Sequence, residues 1–325
     1  MSKKGLQNII TVLRILPGIM FVCSAVLKLI SLDSFEIYLY SFGLFDFVIT
    51  ALLSRLLIAA EFVIGCFLIL KLHYRFAWTA TLLVLCAFTI FLVYVMMFRE
   101  DDNCYCFGDI IKLKPEESIL KNIITIFLLI ITRKEKSHEY RHKILITSAI
   151  TILSIAIPFF IMPADALYNM IYSRERKLNN EVFRKTFLEN EKKELITIVS
   201  TEQDLPDIVI DSTSLYIQGK KMMIFITPGC KFCMTGMKKI NIMAENLNIN
   251  KNDIKIITFG HEKSIAGFIK ETGSDSYEYW RITPPEAIDI CLGRFPTFVF
   301  MKNDSITGVY DYRQIDDKTM TKHLK

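Results

Sequence analysis

Residues 221–233 read Lys221-Met222-Met223-Ile224-Phe225-Ile226-Thr227-Pro228-Gly229-Cys230-Lys231-Phe232-Cys233. The apolar run 221–227 has the composition of a buried strand, Pro228-Gly229 is turn chemistry, and 233–247 has helical spacing. A Cys-x-x-Cys therefore opens a helix that follows a strand. The first sulfur then sits at a helix N-terminus, where unpaired amides and the helix dipole stabilise a thiolate. This predicts that Cys230 is an exposed nucleophile with a lowered pKa and that Cys233, one turn on, is the resolving thiol. Half of a zinc site is the rival reading of the motif, but no second Cys or His pair with ligand spacing follows it, and no metal site is expected.

Further apolar runs at 207–210, 254–259 and 297–301 read as strands, and 262–272 and 315–324 as helices. Strands alternating with helices predict an α/β layer fold with its chemistry at a strand end. Arg294-Phe295-Pro296-Thr297 places a proline at the mouth of the strand 297–301, about 65 residues after the cysteine pair. Over about 205–325 these features resemble the thioredoxin superfamily. The resemblance implies that Pro296 is the cis-proline set against the active disulfide, and that Phe295 is the residue whose backbone pairs with substrate. Thioredoxins proper bury an acidic residue six positions before the first cysteine, and Ile224 stands there in this chain. A proton for Cys233 must come from elsewhere, and the direction of electron flow stays open.

Upstream the composition changes. The chain has 325 residues, 52% of them hydrophobic, too apolar on average for one soluble domain. Spans of membrane-crossing length are predicted at about 8–31, 47–70, 76–98 and 144–163, with a fifth, shorter one at about 118–132 that must recruit Ile119, Leu120 and a snorkelling Lys121. The domains expected are a transmembrane bundle at 1–165, a helical linker at 166–204 containing an amphipathic helix at about 176–195, and the α/β domain at 205–325.

Charge orients the spans, because Lys and Arg in short loops stay on the cytoplasmic side. Lys3, Lys4 and Arg14 lie at the start; Lys71, His73 and Arg75 lie between the second and third spans; Arg133, Lys134, Lys136, Arg141 and Lys143 lie between the fourth and fifth. The alternate loops carry Asp33, Glu36 and Asp46, and then Glu100, Asp101, Asp102, Asp109, Glu116 and Glu117, offset there by Arg99, Lys112 and Lys114. Five crossings with a cytoplasmic N-terminus put everything after residue 165 outside a bacterial inner membrane. The first apolar run is too long, and lacks a small-residue cleavage site, to be a removed signal peptide. The net charge of +5 gathers beside the spans, so nucleic acid is not an expected partner.

Glu61, near the middle of the second span, and Lys28, near the outer end of the first, are costly in hydrocarbon. Glu61 should face the bundle interior, be protonated, or pair with Lys28 or Arg55. A structural clamp between helices and a proton or quinone site are both open readings. Cys23, Cys66 and Cys86, also within spans, read as small apolar residues. The loop between the third and fourth spans reads Asp102-Asn103-Cys104-Tyr105-Cys106-Phe107-Gly108-Asp109. A Cys104–Cys106 disulfide would close a very small ring with strained geometry and be readily reduced. A mixed disulfide with Cys230, a soft metal such as copper, and an ordinary loop are the alternatives.

Residues 1 to about 162 resemble the methylamine-utilisation MauE family within the DoxX-like membrane proteins. The features that carry this are Ser24 to Lys28, Glu61 with Gly65, Cys104 to Gly108, and Lys121-Asn122. The family usually has Gly between the two loop cysteines, where this chain has Tyr105. The resemblance implies work beside a thioredoxin-like partner in disulfide maturation, here fused into one chain. Together these readings predict a membrane thiol-disulfide oxidoreductase. Cys230 and Cys233 would exchange electrons with extracytoplasmic cysteine-containing clients, and Cys104 with Cys106 would relay them to or from the bundle. No cofactor is expected to be tightly bound, and a quinone is the candidate carrier. The rivals are a maturation or assembly factor whose bundle is a passive anchor, and a small-solute transporter. Cys291, the fifth outward thiol, reads as a buried neighbour of the proline loop or as a regulator of the active pair.

Overall fold

The computed structural model describes residues 3–99, 101–135, 137–172, 176–189, 192–200, 206–215 and 217–325. Glu100, Lys136, residues 190–191 and 201–204 of the expected linker, and the side chains of Lys3 and Lys4 lie outside that description. The chain divides into two compact units, one of residues 1–39 with 49–164, the other of 40–48 with 165–325.

The first unit contains α1 (Lys3–Ile30), α2 (Leu32–Tyr40), α3 (Phe47–Leu70), α4 (Tyr74–Phe98), β1 (Cys106–Asp109), α5 (Pro115–Thr132) and α6 (Lys143–Ile161). It is built inside out relative to a water-soluble domain. Polar side chains such as Ser54, Arg55, Thr81, Ser118 and Asn122 are buried, while α4 exposes the stripe Phe76, Leu83, Ile90 and Met97 at a spacing of seven. Such a surface suits hydrocarbon and not water. Among the described residues, four helical stretches, Gln7–Ile30, Phe47–Leu70, Tyr74–Phe98 and Lys143–Ile161, are long and apolar enough to cross a membrane.

The fifth expected crossing, α5, is not among those four. Glu116, Glu117 and Lys121 lower its average, yet its polar side chains Ser118, Asn122, Thr125 and Thr132 are the buried ones. Its outward residues are Leu120, Ile123, Ile124, Phe127, Ile130 and Ile131. The loop expected after α1 is largely a helix, α2, because Phe35, Ile37, Tyr38 and Tyr40 form a face that buries.

α1 and α3 cross backbone to backbone. A methyl group at Gly65 would lie 2.8 Å from the Gly18 carbonyl oxygen, and one at Gly18 would lie 3.0 Å from that of Gly65. Only glycine at both positions lets the helices come this close. About two and three turns beyond Gly18, Ser24 and Lys28 are thereby brought to Glu61.

The second unit contains α7 (Asp165–Tyr172), α8 (Asn180–Arg184), β2 (Lys192–Ser200), β3 (Asp207–Ser214), β4 (Lys220–Phe225), α9 (Lys231–Asn246), β5 (Ile254–Thr258), α10 (Glu262–Thr272), β6 (Glu278–Arg281), α11 (Pro284–Cys291), β7 (Thr297–Lys302), β8 (Ser305–Tyr310) and α12 (Asp317–Leu324). The strands form one seven-stranded sheet in the order β3-β2-β6-β5-β4-β7-β8. β4, β5 and β6 run parallel, whereas β7 lies antiparallel to β4. Every residue from Met222 to Phe225 is buried, so both faces of β4 are covered. Met223 and Phe225 pack with Phe183, Ala287, Ile290 and Cys291 of α8 and α11. By the two-residue alternation of a strand, Met222 and Ile224 point to the opposite face.

The helical linker is a correction. The amphipathic helix expected at 176–195 is limited to α8 and the wide helical turn Lys185–Glu189, after which the chain extends as β2. The β-branched run Ile196-Thr197-Ile198-Val199 prefers extended backbone, and the charges Lys192, Lys193 and Glu194 had masked it. β2 pairs with β3 and β6, so the segment expected to link two domains is part of the sheet.

Candidate redox sites

In the second unit, the register Phe225↔Thr297 sets the end of β4 beside the start of β7. The loop that leads into Cys230 and the loop that ends at Pro296 therefore emerge at the same end of the sheet. Phe295–Pro296 is a cis peptide bond. A methyl group at Gly236 on α9 would meet Phe298 Cζ at 3.3 Å and Pro296 Cγ at 3.5 Å, which places the cysteine helix directly against the proline.

Cys230 is the N-cap of α9, with its carbonyl accepting from the Met234 amide at 3.0 Å. It is partly exposed, Cys233 is fully buried, and both are free thiols. Burial holds the Cys233 thiol well above the ordinary range; a hydrogen bond with the Thr227 backbone opposes this, and the neighbouring Cys230 adds to it. Ile224 is buried on β4, so no carboxylate sits at that position to relay a proton. Cys291 lies in the core cluster beside Val299. Burial pushes its thiol up to about 12, against the hydrogen bond with Thr297 and the charge of Arg176.

In the first unit, Cys104 and Cys106 are bonded to each other. Each is only 2% exposed. Leu92, Phe88, Phe107, Leu113 and Ile119 cover them, an apolar set that the hydrophilic run 99–104 concealed. The loop is tied to α1 by Ser31 Oγ, which accepts from the Asp109 amide at 3.0 Å and donates to the Leu27 carbonyl at 2.9 Å. Gly108, at φ +66°, has room for no side chain, since a methyl group there would lie 2.0 Å from Ser31 Oγ. Tyr105 also takes a left-handed φ of 53°, and its ring stacks on Tyr38 at 4.5 Å between centroids.

Glu61 pairs with Lys28, whereas Arg55 pairs with Glu36. The Ser24 hydroxyl faces two acceptors, 2.7 Å from the Cys106 carbonyl and 3.0 Å from Glu61 Oε2, with one proton to give. Lys28, Glu61, Ser24, Cys104 and Cys106 all line one cavity of 280 Å³ whose remaining walls are mainly apolar and aromatic. Cys23 and Cys86 lie on outward helix faces and Cys66 is partly buried, all three unpaired.

Comparison with known proteins follows the same division. Residues 6–133 match the family described as Methylamine utilisation protein MauE. The chain is also similar to Protein TlpB of Flavobacterium psychrophilum, 27% identical over 308 residues that make up 82% of this chain and 81% of the relative. A solved structure, of a DsbF homologue from Corynebacterium diphtheriae, is 20% identical, with a TM-score of 0.29 over 42% of this chain and 87% of its own. The chain thus joins a helical unit that is similar over residues 6–133 to the MauE family to a second unit built on a mixed seven-stranded sheet.

Three residues of the first unit matter more than their sequence setting suggested. Lys121, read as a snorkelling anchor, lines the cavity and lies over the Phe107 ring at 4.9 Å. Asn122 also lines it; its amide nitrogen donates to Thr89 Oγ1 at 3.1 Å, while its buried Oδ1 has no hydrogen-bond partner among the described residues. Ser118 places its hydroxyl against both sulfurs. In the second unit, Arg176 carries no comparable sequence signal, and it donates to the Pro296 carbonyl at 2.9 Å. Each of these contacts joins distant parts of the chain or depends on helix rotation.

Proposed function

We propose that this protein is a membrane thiol-disulfide oxidoreductase in which two cysteine pairs act in series. Cys230 exchanges with extracytoplasmic client thiols, Cys233 resolves the mixed disulfide, and the Cys104–Cys106 bond passes the electron pair to or from the MauE domain. The observation that carries this reading is the pair of cysteine sites itself. One is a Cys-x-x-Cys at a helix N-terminus against a cis-proline. The other is a disulfide buried at the wall of a cavity in a membrane bundle.

In the oxidising direction the Cys230 thiolate attacks Cys106, the Cys104–Cys106 bond breaks, and the electron pair leaves on Cys104. The Cys233 thiol then attacks Cys230 and gives up its proton. A Cys230–Cys233 disulfide forms, and Cys106 leaves as the second thiol. Two electrons and the accompanying protons have moved from one pair to the other, and the reverse sequence reduces Cys230 and Cys233.

The topology in this reading has the N-terminus in the cytoplasm and five crossings, with α5 as the fourth. At 1.5 Å per residue, its 18 residues rise about 27 Å, close to the thickness of the hydrocarbon layer. Its apolar outward face and polar inward face are the distribution lipid requires. The thioredoxin-like domain then lies outside.

A quinone is the carrier that fits the cavity. At 280 Å³ the cavity is at the small end of ligand sites and suits one ring. Asn122 Oδ1 can accept a hydrogen bond from a quinol hydroxyl, and Lys121 and Lys28 can donate to a quinone oxygen. Such a group would supply a two-electron acceptor at the wall where the disulfide lies.

Trapping tests the series. In a Cys233→Ser variant the mixed disulfide formed by Cys230 cannot resolve. The proposal expects Cys230 to be captured both with client proteins and with Cys106 of the same chain. Capture of clients alone, with Cys106 never joined to Cys230, would favour a bundle that serves only as an anchor.

A further inference from the structure

We infer that Ser118 is a positioning residue that decides which sulfur of the Cys104–Cys106 bond leaves and which is attacked. Ser118 is fully buried in the first turns of α5. Its hydroxyl lies 2.9 Å from Cys104 Sγ and 3.1 Å from Cys106 Sγ. Neither sulfur of a disulfide carries a proton, so the hydroxyl is the donor. A serine inside a helix ordinarily gives its proton back to the carbonyl four residues earlier. Thr125 and Thr132 of the same helix do so, to Lys121 and Leu128. Ser118 instead spends its proton on sulfur, a weak acceptor while the disulfide is intact and a strong one when it becomes a thiolate.

The two sulfurs are not equivalent. Cys104 Sγ also receives the Cys106 backbone amide, at 3.3 Å, and it is the nearer of the two to Ser118. Two donors converge on Cys104 and one on Cys106. The carbonyl of Cys106 is itself taken up by Ser24. When an incoming thiolate forms a bond to one sulfur, the other departs with the electron pair, and that charge is better received on Cys104. Cys106 is therefore the electrophile that carries the mixed disulfide, and Cys104 the thiolate left at the cavity wall. The charged groups that line this cavity among the described residues are Lys28, Glu61 and Lys121, whereas the side-chain hydroxyl within hydrogen-bond distance of both sulfurs is that of Ser118.

This inference rests on the reading of Cys104 and Cys106 as a redox pair, but it can be tested without the thioredoxin-like domain taking part. The full chain carrying Cys230→Ser and Cys233→Ser, in lipid nanodiscs, is reduced with dithiothreitol. One dithiothreitol thiolate attacks, and its second thiol releases the cyclic oxidised reagent and the reduced cysteine pair. The expected result is that Ser118→Ala slows this reduction about tenfold or more, the loss of one hydrogen bond to a forming charge. The pH midpoint for iodoacetamide labelling of reduced Cys104 should rise by about one unit, and Ser118→Thr should recover most of both changes.

An unchanged rate and labelling profile in Ser118→Ala would overturn the inference and leave Ser118 as packing. Should that variant fail to fold, the unsubstituted serine decides the matter. After brief reduction, peptide-level mapping is expected to find Cys104 labelled ahead of Cys106, and equal or reversed labelling would overturn the assignment. Failure of the relay would look different, because Cys230 would ignore the loss of Cys104 and Cys106 in cells while Ser118 still governed exchange with dithiothreitol.

Discussion

Replacing Glu61 by Gln strands the Lys28 ammonium inside the bundle. The cavity is lined by two ammonium groups, Lys28 and Lys121, and by one carboxylate, Glu61, so the substitution removes the only negative charge among the described lining residues. Breaking a buried ion pair from one side costs about 3–5 kcal/mol.

Lys28 also keeps its position over the Phe35 ring, 5.2 Å from the centroid, after Glu61 is lost. That favours the lower end, about 3 kcal/mol, or roughly 6–12 °C in melting temperature for a unit of this size. Lys28→Met, which strands the Glu61 carboxylate instead, should destabilise to a comparable degree. The double variant should recover most of the loss. Thermal melts of the four proteins in nanodiscs provide the assay. Additive losses, with no recovery in the double variant, would refute the pairing argument.

Three further outcomes follow from single side chains. Tyr105→Gly gains about 1–2 kcal/mol by relieving a left-handed residue and loses about 0.5–1.5 kcal/mol of stacking on Tyr38, so denaturation should find it close to the parent, while Tyr105→Ala loses the stack and keeps the strain and should be clearly less stable. Burial raises the Cys291 thiol to about 12 in the folded chain against about 8.5 unfolded, so the stability it contributes is whole below pH 8.5 and is lost as pH climbs toward 12; between pH 8 and 10.5 the parent should lose melting temperature faster than Cys291→Ala. Asn122→Leu removes a buried oxygen without a partner, so melting should hold or rise while quinone-dependent reoxidation of Cys104 and Cys106 falls about tenfold or more, and unchanged reoxidation would count against the quinone reading.

The parts of this molecule that sequence discloses are those whose physics is local. A strand, a Pro-Gly turn and Cys-x-x-Cys follow one another within thirteen residues, and the structure keeps that order from Lys220 to Asn246. Pro296 is legible for the same reason, as a proline at a strand mouth. Lys28 and Glu61 are legible because a charge within an apolar span demands a partner, even though choosing between Lys28 and Arg55 required the helix crossing at Gly18 and Gly65.

Other features depend on where distant segments meet. β2 was hidden because its lysines and glutamate read as a helix surface, and only pairing with β3 and β6 reveals a strand. The four-residue strand β6 and the eight-residue helix α11 are too short to stand out from their surroundings. Ser118, Lys121 and Asn122 carry ordinary helix residues' signals, and their importance comes from the rotation of α5 that turns them inward. The burial of Cys104 and Cys106 escaped notice because the acidic residues beside them suggest water, while the aromatic and aliphatic groups that cover them come partly from α4 and α5.

The most direct measurement is the redox state of Cys230 and Cys233 in living cells that carry Cys104→Ser with Cys106→Ser, read by trapping thiols in acid and shifting their mass with a maleimide. Electron transfer in series predicts that the Cys230–Cys233 ratio of disulfide to dithiol moves far from that of the parent. A ratio identical to the parent's would contradict it.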